Sequence, residues 1–189
     1  MKLVILDRDG VINEDSDQYI RSVEEWIPLK GSIDAIARLH RAGYTVVVAT
    51  NQSGLGRGLF DLDALEQMHA KFVSLVEEAG GAIAGIFYCP HTPEDQCQCR
   101  KPAPGLLDAI AREFGCDLHD VPFIGDSLKD LEVGLKRGCI PILVRTGKGM
   151  STEAKLLLSS DAGLQSVRVF DNLSAAIDFL LDQAGEKSP

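Results

Sequence analysis

Residues 3–13, LVILDRDGVIN, decide the fold. Four apolar residues, two of them β-branched, run directly into Asp7-Arg8-Asp9-Gly10. A short continuous apolar run reads as a strand buried on both faces, as in a parallel sheet covered by helices. The same kind of run recurs at 45–49 (TVVVA), 82–89 (AIAGIFYC), 121–125 (VPFIG), 140–144 (IPILV) and 167–170 (VRVF). Helical patterns fill the gaps. Residues 32–42 place Ile33, Ile36, Ala37 and Leu39 on one face and stop at Gly43. Residues 62–79 open with Asp63 and Glu66 at capping-box spacing and end before Gly80-Gly81. Pro104 suits the first turn of a helix ending at Gly115, and Ser127 caps residues 128–137 ahead of Gly138. Two more helices fall at about 151–159 and 173–183. The alternation predicts an α/β fold: a doubly wound, mostly parallel, Rossmann-like sheet flanked by helices.

The chain has 189 residues, 45% of them hydrophobic, which suits one domain spanning 1–189. No apolar run reaches the roughly 18 residues of a membrane span. The N-terminus meets charge too early for a signal peptide, so a cytoplasmic protein that uses no membrane is expected. A net charge of −9 speaks against nucleic acid as a partner. An anionic ligand would therefore need a local positive site built against the overall field.

In a doubly wound sheet the ligand lies beyond the carboxyl ends of the strands. Those ends are polar throughout: Asp7 and Asp9 after the first, Thr50-Asn51-Gln52-Ser53 after the second, Arg100-Lys101-Pro102 following the third, and Asp126-Ser127 with Asp130 after the fourth. One carboxylate can attack phosphorus while another, about 7 Å along extended chain, reaches the leaving oxygen. Acids converging from Asp7, Asp9 and Asp126 call for a hard cation, and Mg²⁺ suits both oxygen ligands and phosphate. Thr50 and Asn51 can donate to phosphoryl oxygens, and Lys101 can offset transition-state charge.

"DRDGVIN", "TNQSG", "RKP" and "GDSLKD" resemble, in order, the four motifs of the haloacid dehalogenase-like phosphatases. The resemblance implies the haloacid dehalogenase type of sheet, with Asp7 as nucleophile, Asp9 as general acid/base, and Thr50 and Lys101 holding the phosphoryl group. It implies Mg²⁺ on Asp7, Asp126 and the carbonyl of Asp9. It further implies that Asp15, Tyr19, Asn51, Gln52, Ser53 and Arg100 contact the substrate. The spacing between motifs leaves no room for a large cap domain.

Residues 89–99, CPHTPEDQCQC, hold three of the five cysteines. Cys89, His91, Cys97 and Cys99 form C-x-H and C-x-C pairs, each able to point two ligands one way toward a structural Zn²⁺. A disulfide or idle thiols are the plain alternatives. A zinc loop directly before RKP resembles the branch of the family that dephosphorylates heptose bisphosphates. That branch implies a monomeric, Mg²⁺-dependent enzyme removing the 7-phosphate of a phosphorylated sugar on the route to ADP-heptose and lipopolysaccharide core. A histidinol-phosphate phosphatase is the nearest rival. An Asp phospho-acceptor signalling module is a more distant one, disfavoured because its acceptor follows a later strand. His40, His69, His119, Cys116 and Cys139 read as surface or packing residues, and Trp26 either packs the loop after the first strand or borders the site. Gly54, Gly56 and Gly58 miss the dinucleotide fingerprint, and RTGKG (145–149) misses a phosphate loop at Ile142 and Gly149.

Overall fold

The computed structural model describes residues 1–186. Strands β1 (Lys2–Leu6), β2 (Tyr44–Asn51), β3 (Gly85–Cys89), β4 (Pro122–Gly125), β5 (Ile140–Val144) and β6 (Arg168–Phe170) form one parallel sheet. Their order is β3-β2-β1-β4-β5-β6. The direction of winding reverses between β1 and β4, which opens a crevice at their carboxyl ends. Helices α1 (Ser32–Arg41), α2 (Ser53–Gly56), α3 (Leu62–Glu78), α4 (Gly105–Phe114), α5 (Leu128–Lys136), α6 (Gly149–Leu158), α7 (Ala162–Gln165) and α8 (Leu173–Glu186) complete the chain. No described helix is long and apolar enough to cross a membrane.

Alternate residues of each central strand enter separate cores. Val4, Leu6, Val46, Val48 and Ile124 pack with Ile36 and Leu39 of α1, Phe72 of α3 and Ile177 of α8. Leu3, Ile5, Val47, Ala49 and Phe123 pack with Leu107 and Ile110 of α4 and Val133 of α5. Burial on both faces is why these strands show no polar alternation in sequence. The register sets Leu6 beside Val48 and Ile124, so Asp7 emerges level with the ends of two neighbours.

Trp26 belongs to the core. Its ring packs on Phe72 at 5.7 Å between centroids. Lys71 Nζ donates to the carbonyls of Val23 and Trp26 at 2.8 and 2.7 Å. The long loop after β1 is thereby tied to α3, which fixes the wall formed by residues 15–20.

Several local boundaries depart from expectation, three of them with a clear cause. β3 begins at Gly85 rather than Ala82: its paired register starts at Gly85 opposite Val47, and Ala84 before it adds a single N–H bond to Val46 O at 2.8 Å. Pro104 precedes α4 instead of lying in its first turn. The cap of α3 is Asp61, whose extended backbone lets its carboxylate accept from Ala64 N–H at 2.9 Å. Asp63 is already helical, so the pair Asp63/Glu66 is no capping box. Asp61→Ala is expected to lower stability by about 1 kcal/mol in urea denaturation. Glu66→Ala should change it by less than about 0.5 kcal/mol.

Candidate active site

The carboxyl ends of β1, β2 and β4 and the segments after β3 and β5 enclose one cavity of about 630 Å³. Asp7, Asp9, Asp15, Tyr19, Thr50, Asn51, Gln52, Ser53, Arg100, Lys101 and Asp126 all line it. Every candidate residue that the phosphatase motifs assigned to substrate or Mg²⁺ thus reaches the same space.

At the floor stands Lys101, only 2% exposed. Its Nζ donates to Ala49 O at 2.7 Å and lies 2.9 Å from Asp7 Oδ1. It also sits 2.6 Å from Asp130 Oδ1, an ion contact rather than a well-directed hydrogen bond. Burial works against the ammonium charge, but Asp130 and Asp7 more than offset it, and the Lys101 pKa rises above that of an ordinary lysine. Asn51 fixes the residue in place, donating to Lys101 O at 3.1 Å and accepting from Lys101 N–H at 3.0 Å. One amide N–H and the oxygen of Asn51 thus hold the lysine backbone, and the second amide N–H remains for the cavity that Asn51 lines.

Asp7 Oδ1 also accepts from Arg8 N–H at 2.8 Å, while Oδ2 has no donor among the described residues. One oxygen is anchored and the other is available to the cavity. Burial, then the charge of Asp130, raises the Asp7 pKa to about 7 despite Lys101. Burial, then Asp7 and Asp130, raises that of Asp126 to about 8. Asp7, Asp126 and Asp130 bring carboxylate oxygens within 4.8 Å of one another. Three buried acids against one lysine, with oxygen donors only, fit a hard divalent cation. Asp130 joins the two acids that the motifs assigned to Mg²⁺, and its Oδ2 already accepts from Ser127 N–H at 3.1 Å and from Ser127 Oγ at 2.6 Å.

Asp9 is held differently. Desolvation would raise its pKa, but Arg8, Asn13 and Gln52 together lower it. Arg8, fully buried, reaches Oδ1 at 2.9 Å and Oδ2 at 3.1 Å, and Asn13 Nδ2 reaches Oδ1 at 2.8 Å. Gln52 Nε2 donates to Asp9 Oδ2 at 2.8 Å and to Thr50 Oγ1 at 2.9 Å. Since Thr50 accepts there, its own hydroxyl proton is free for an incoming oxygen. Behind this group His69 Nε2 lies 3.3 Å from Arg8 NH1. Burial, then Arg8, lowers the His69 pKa to about 4, so the ring is neutral and accepts.

The RTGKG segment, set aside on sequence grounds, encloses the site. Lys148 N–H donates to Asp126 Oδ2 at 2.7 Å, Thr146 Oγ1 to Gly10 O at 2.7 Å, and Thr152 Oγ1 to Asp126 O at 2.8 Å. Gly10 has φ +80°, and a Cβ there would strike the Asp126 carboxylate and come within 3.1 Å of Gly147 Cα. Lys148 Nζ pairs with Asp15 at 3.1 Å, and Lys129 and Lys155 also line the cavity. Burial, then the like charges of Arg100 and Lys148, lowers the Lys129 pKa. The signal for this segment was its position after a strand, not its match to a phosphate-loop pattern.

Cys89, His91, Cys97 and Cys99 also meet, with their ligand atoms within 4.8 Å. Sulfur separations are 3.1, 3.4 and 3.6 Å, and His91 Nδ1 is 3.2 Å from Cys99 Sγ and 3.6 Å from Cys89 Sγ. All the cysteines are free. These spacings approach the edges, roughly 3.7 Å, of a tetrahedron centred about 2.3 Å from each sulfur, so the set fits Zn²⁺. Although desolvation opposes ionisation, Arg100 N–H and the neighbouring thiols lower the Cys97 pKa to about 7.

A doubly wound sheet with these acids, Thr50 and Lys101 at its strand ends defines the class of haloacid dehalogenase-like phosphatases. A family profile described as polynucleotide kinase 3 phosphatase matches residues 2–136, and one described as HAD-hydrolase-like matches residues 98–176. D-glycero-beta-D-manno-heptose-1,7-bisphosphate 7-phosphatase from Pseudomonas aeruginosa is 52% identical over 95% of this chain and 97% of its own. The protein of the same description from Bordetella bronchiseptica is 50% identical over 97% and 100%. The crystal structure of D,D-heptose 1,7-bisphosphate phosphatase from B. bronchiseptica, complexed with magnesium and phosphate, superposes with a TM-score of 0.91. It covers 97% of this chain and 99% of that one at 49% identity. The chain belongs to the haloacid dehalogenase-like phosphatases, in the same family as these heptose-bisphosphate enzymes.

Both raised acids bind protons more readily folded than unfolded. Their contribution to stability is complete below about pH 4 and is lost as pH rises through about 7 and 8. With chelator present, Tm is therefore expected to fall between about pH 5.5 and pH 8. Asp126→Asn should flatten that slope, and Mg²⁺ should raise Tm more at the alkaline end. A Tm that climbs across this window in the chelated protein would contradict the assignment.

Proposed function

We propose that this chain removes the 7-phosphate of D-glycero-β-D-manno-heptose 1,7-bisphosphate with Mg²⁺, on the route to ADP-heptose. Supporting it are the near-full-length relatives named for that reaction. The observation that carries it is an acid floor at the bottom of one cavity whose rim bears Arg100, Lys129 and Lys148. That rim suits a substrate with a second anionic group. The whole chain acts as one phosphatase domain.

Asp7 Oδ2, the unanchored oxygen, attacks phosphorus, and the bond to the O7 leaving oxygen breaks. Thr50 Oγ1 donates to a phosphoryl oxygen, and Lys101 steadies Asp7 from the other side. Asp7, Asp126 and the backbone carbonyl of Asp9 would hold Mg²⁺, which would supply positive charge beside the carboxylates and the phosphoryl oxygens. Asp9 starts as an anion in the grip of Arg8, Asn13 and Gln52. An approaching phosphoryl dianion raises its proton affinity by like-charge repulsion, so Asp9 takes up a proton from solvent as substrate binds and passes it to the leaving alkoxide. The ionised Asp9 then takes a proton from water, whose oxygen attacks the aspartyl-phosphate and frees phosphate.

The Cys/His loop holds a structural Zn²⁺ in this reading, with four protein ligands and no open position. Arg100 NH1 donates to His91 O at 3.3 Å, which ties the rim cation to the loop. The magnesium and phosphate of the B. bronchiseptica complex support the Mg²⁺ role.

Steady-state assay of a sugar-bisphosphate panel with Mg²⁺ tests the substrate. The β-heptose 1,7-bisphosphate should show the highest kcat/KM, and a strong preference for histidinol phosphate would overturn the reading. Asp7→Asn should lose at least about a thousandfold in kcat while keeping its circular dichroism spectrum. Cys97→Ser should leave the purified protein without zinc by elemental analysis and lower activity indirectly. A zinc-free wild-type protein with four freely titrating loop ligands would sink the zinc assignment.

A further inference from the structure

Helix α3 turns Leu65, Met68, Phe72 and Val76 into the core. His69 lies on the same stripe, four residues after Leu65 and three before Phe72, where an apolar side chain is the ordinary occupant. Its ring tilts against Tyr88 with 6.0 Å between centroids, and its Nε2 lies 3.3 Å from Arg8 NH1. Burial, then the charge of Arg8, keeps the imidazole neutral, so Nε2 accepts and the proton sits on Nδ1. The guanidinium it meets is fully buried, and its N–H groups need acceptors inside the protein. Nε and NH2 find theirs on one side: Asp9 Oδ1 at 3.1 and 2.9 Å, Asp9 Oδ2 at 3.1 Å and Gln52 Oε1 at 3.1 Å. For NH1 the acceptor among the described residues is His69. The backbone of Arg8 is fixed separately. Its carbonyl accepts from Ile12 N–H at 2.8 Å, and its N–H donates to Asp7 Oδ1 at 2.8 Å. His69 therefore bears on the side chain and not on the strand end that carries Asp7. Lys71, donating to the carbonyls of Val23 and Trp26, gives this part of α3 a firm base. Neither Arg8 nor His69 lines the cavity, so neither touches substrate.

Resting on the proposed role of Asp9 as proton carrier, we infer that His69 is a positioning residue that acts through Arg8 on the Asp9 carboxylate. Held at NH1 by His69 and at NH2 by Gln52, the guanidinium plane cannot swing, and the carboxylate it grips stays aimed at the leaving oxygen. As Asp7 Oδ2 bonds to phosphorus, the old P–O bond breaks. Its electron pair goes to the leaving oxygen, which takes the proton from Asp9. Without the His69 acceptor NH1 is left bare, Arg8 tips toward another partner, and Asp9 turns with it. Displacement by a fraction of an ångström weakens proton delivery. The loss is greatest for a strongly basic leaving oxygen and least for one that departs readily as an anion.

The test measures kcat/KM in Mg²⁺, which includes departure of the leaving group but not the later hydrolysis of the aspartyl-phosphate. Three substrates of rising leaving-group basicity are compared: 4-nitrophenyl phosphate, phenyl phosphate and the sugar bisphosphate that wild type hydrolyses best. His69→Leu should lose about threefold more on phenyl phosphate than on 4-nitrophenyl phosphate, and about tenfold more on the sugar bisphosphate. His69→Gln, whose Oε1 reaches the place of Nε2, should restore most of that difference, whereas the shorter His69→Asn should not. Equal losses on all substrates, or none, would overturn the inference. If His69→Leu fails to fold, the Gln and Asn variants decide by the same ratios, and identical ratios in the two would overturn it. Asp9→Asn tells failure of the His69 relay from failure of the Asp9 role. Losses that rise with basicity in Asp9→Asn but not in His69→Leu would overturn the relay alone, and uniform losses in Asp9→Asn would overturn both. A wild type that prefers another bisphosphate, or none, would overturn the heptose assignment alone, because the aryl pair still reports on Asp9.

Discussion

One ammonium group, Nζ of Lys101, is the charge on which the floor of the site depends. It joins the carbonyl of Ala49 on β2, the carboxylate of Asp7 at the end of β1 and that of Asp130 on α5. Removing one partner from a buried ionic set leaves the others uncompensated, at a cost of about 3–5 kcal/mol. Lys101 consequently holds three elements together while placing the Asp7 oxygens. Its own position is secured from two directions. Asn51 grips its backbone, and the Cys/His loop delivers the chain to it from β3. A loop cluster with no direct access to the reacting centre thereby sets the geometry of the residue beside it.

The acids of the site fall into two electrical classes. Asp7 and Asp126 are buried, and crowded by other carboxylates as well, so they resist ionisation without a cation. Asp9, only two residues from Asp7, is surrounded by donors and ionises easily. The sequence DRD places Arg8 between them with its backbone N–H on Asp7 and its guanidinium on Asp9. One residue therefore serves both carboxylates through different atoms, which separates their affinities for the proton. Paired acids with opposed environments are what divided roles at one site require.

Strand positions were legible because burial on both faces leaves continuous apolar runs, as in KLVIL and IPILV. The site was legible because all its acids follow such runs. What escaped was whatever depends on a neighbour distant in sequence. Asp61 and Asp63 are equally good caps on paper, and only backbone geometry chooses between them. The hold of Asn51 on the Lys101 backbone, fifty residues away, left no mark in the sequence. The RTGKG segment fails every phosphate-loop pattern, yet its place after β5 brings Lys148 to Asp126. Trp26 could be assigned to the core only once α3 lay beneath it.

The close passage of Gly10 against Gly147 over Asp126 constrains how this chain can diverge. Two backbone segments from opposite halves of the fold meet there with no side chain between them. Replacement of either glycine would push the carboxylate, so neither position can drift while the other compensates. Length changes in either segment would separate the two backbones and unseat Asp126 in the same way. Freedom to vary the cavity wall therefore lies away from this contact, as at residues 15–20 further along the loop after β1.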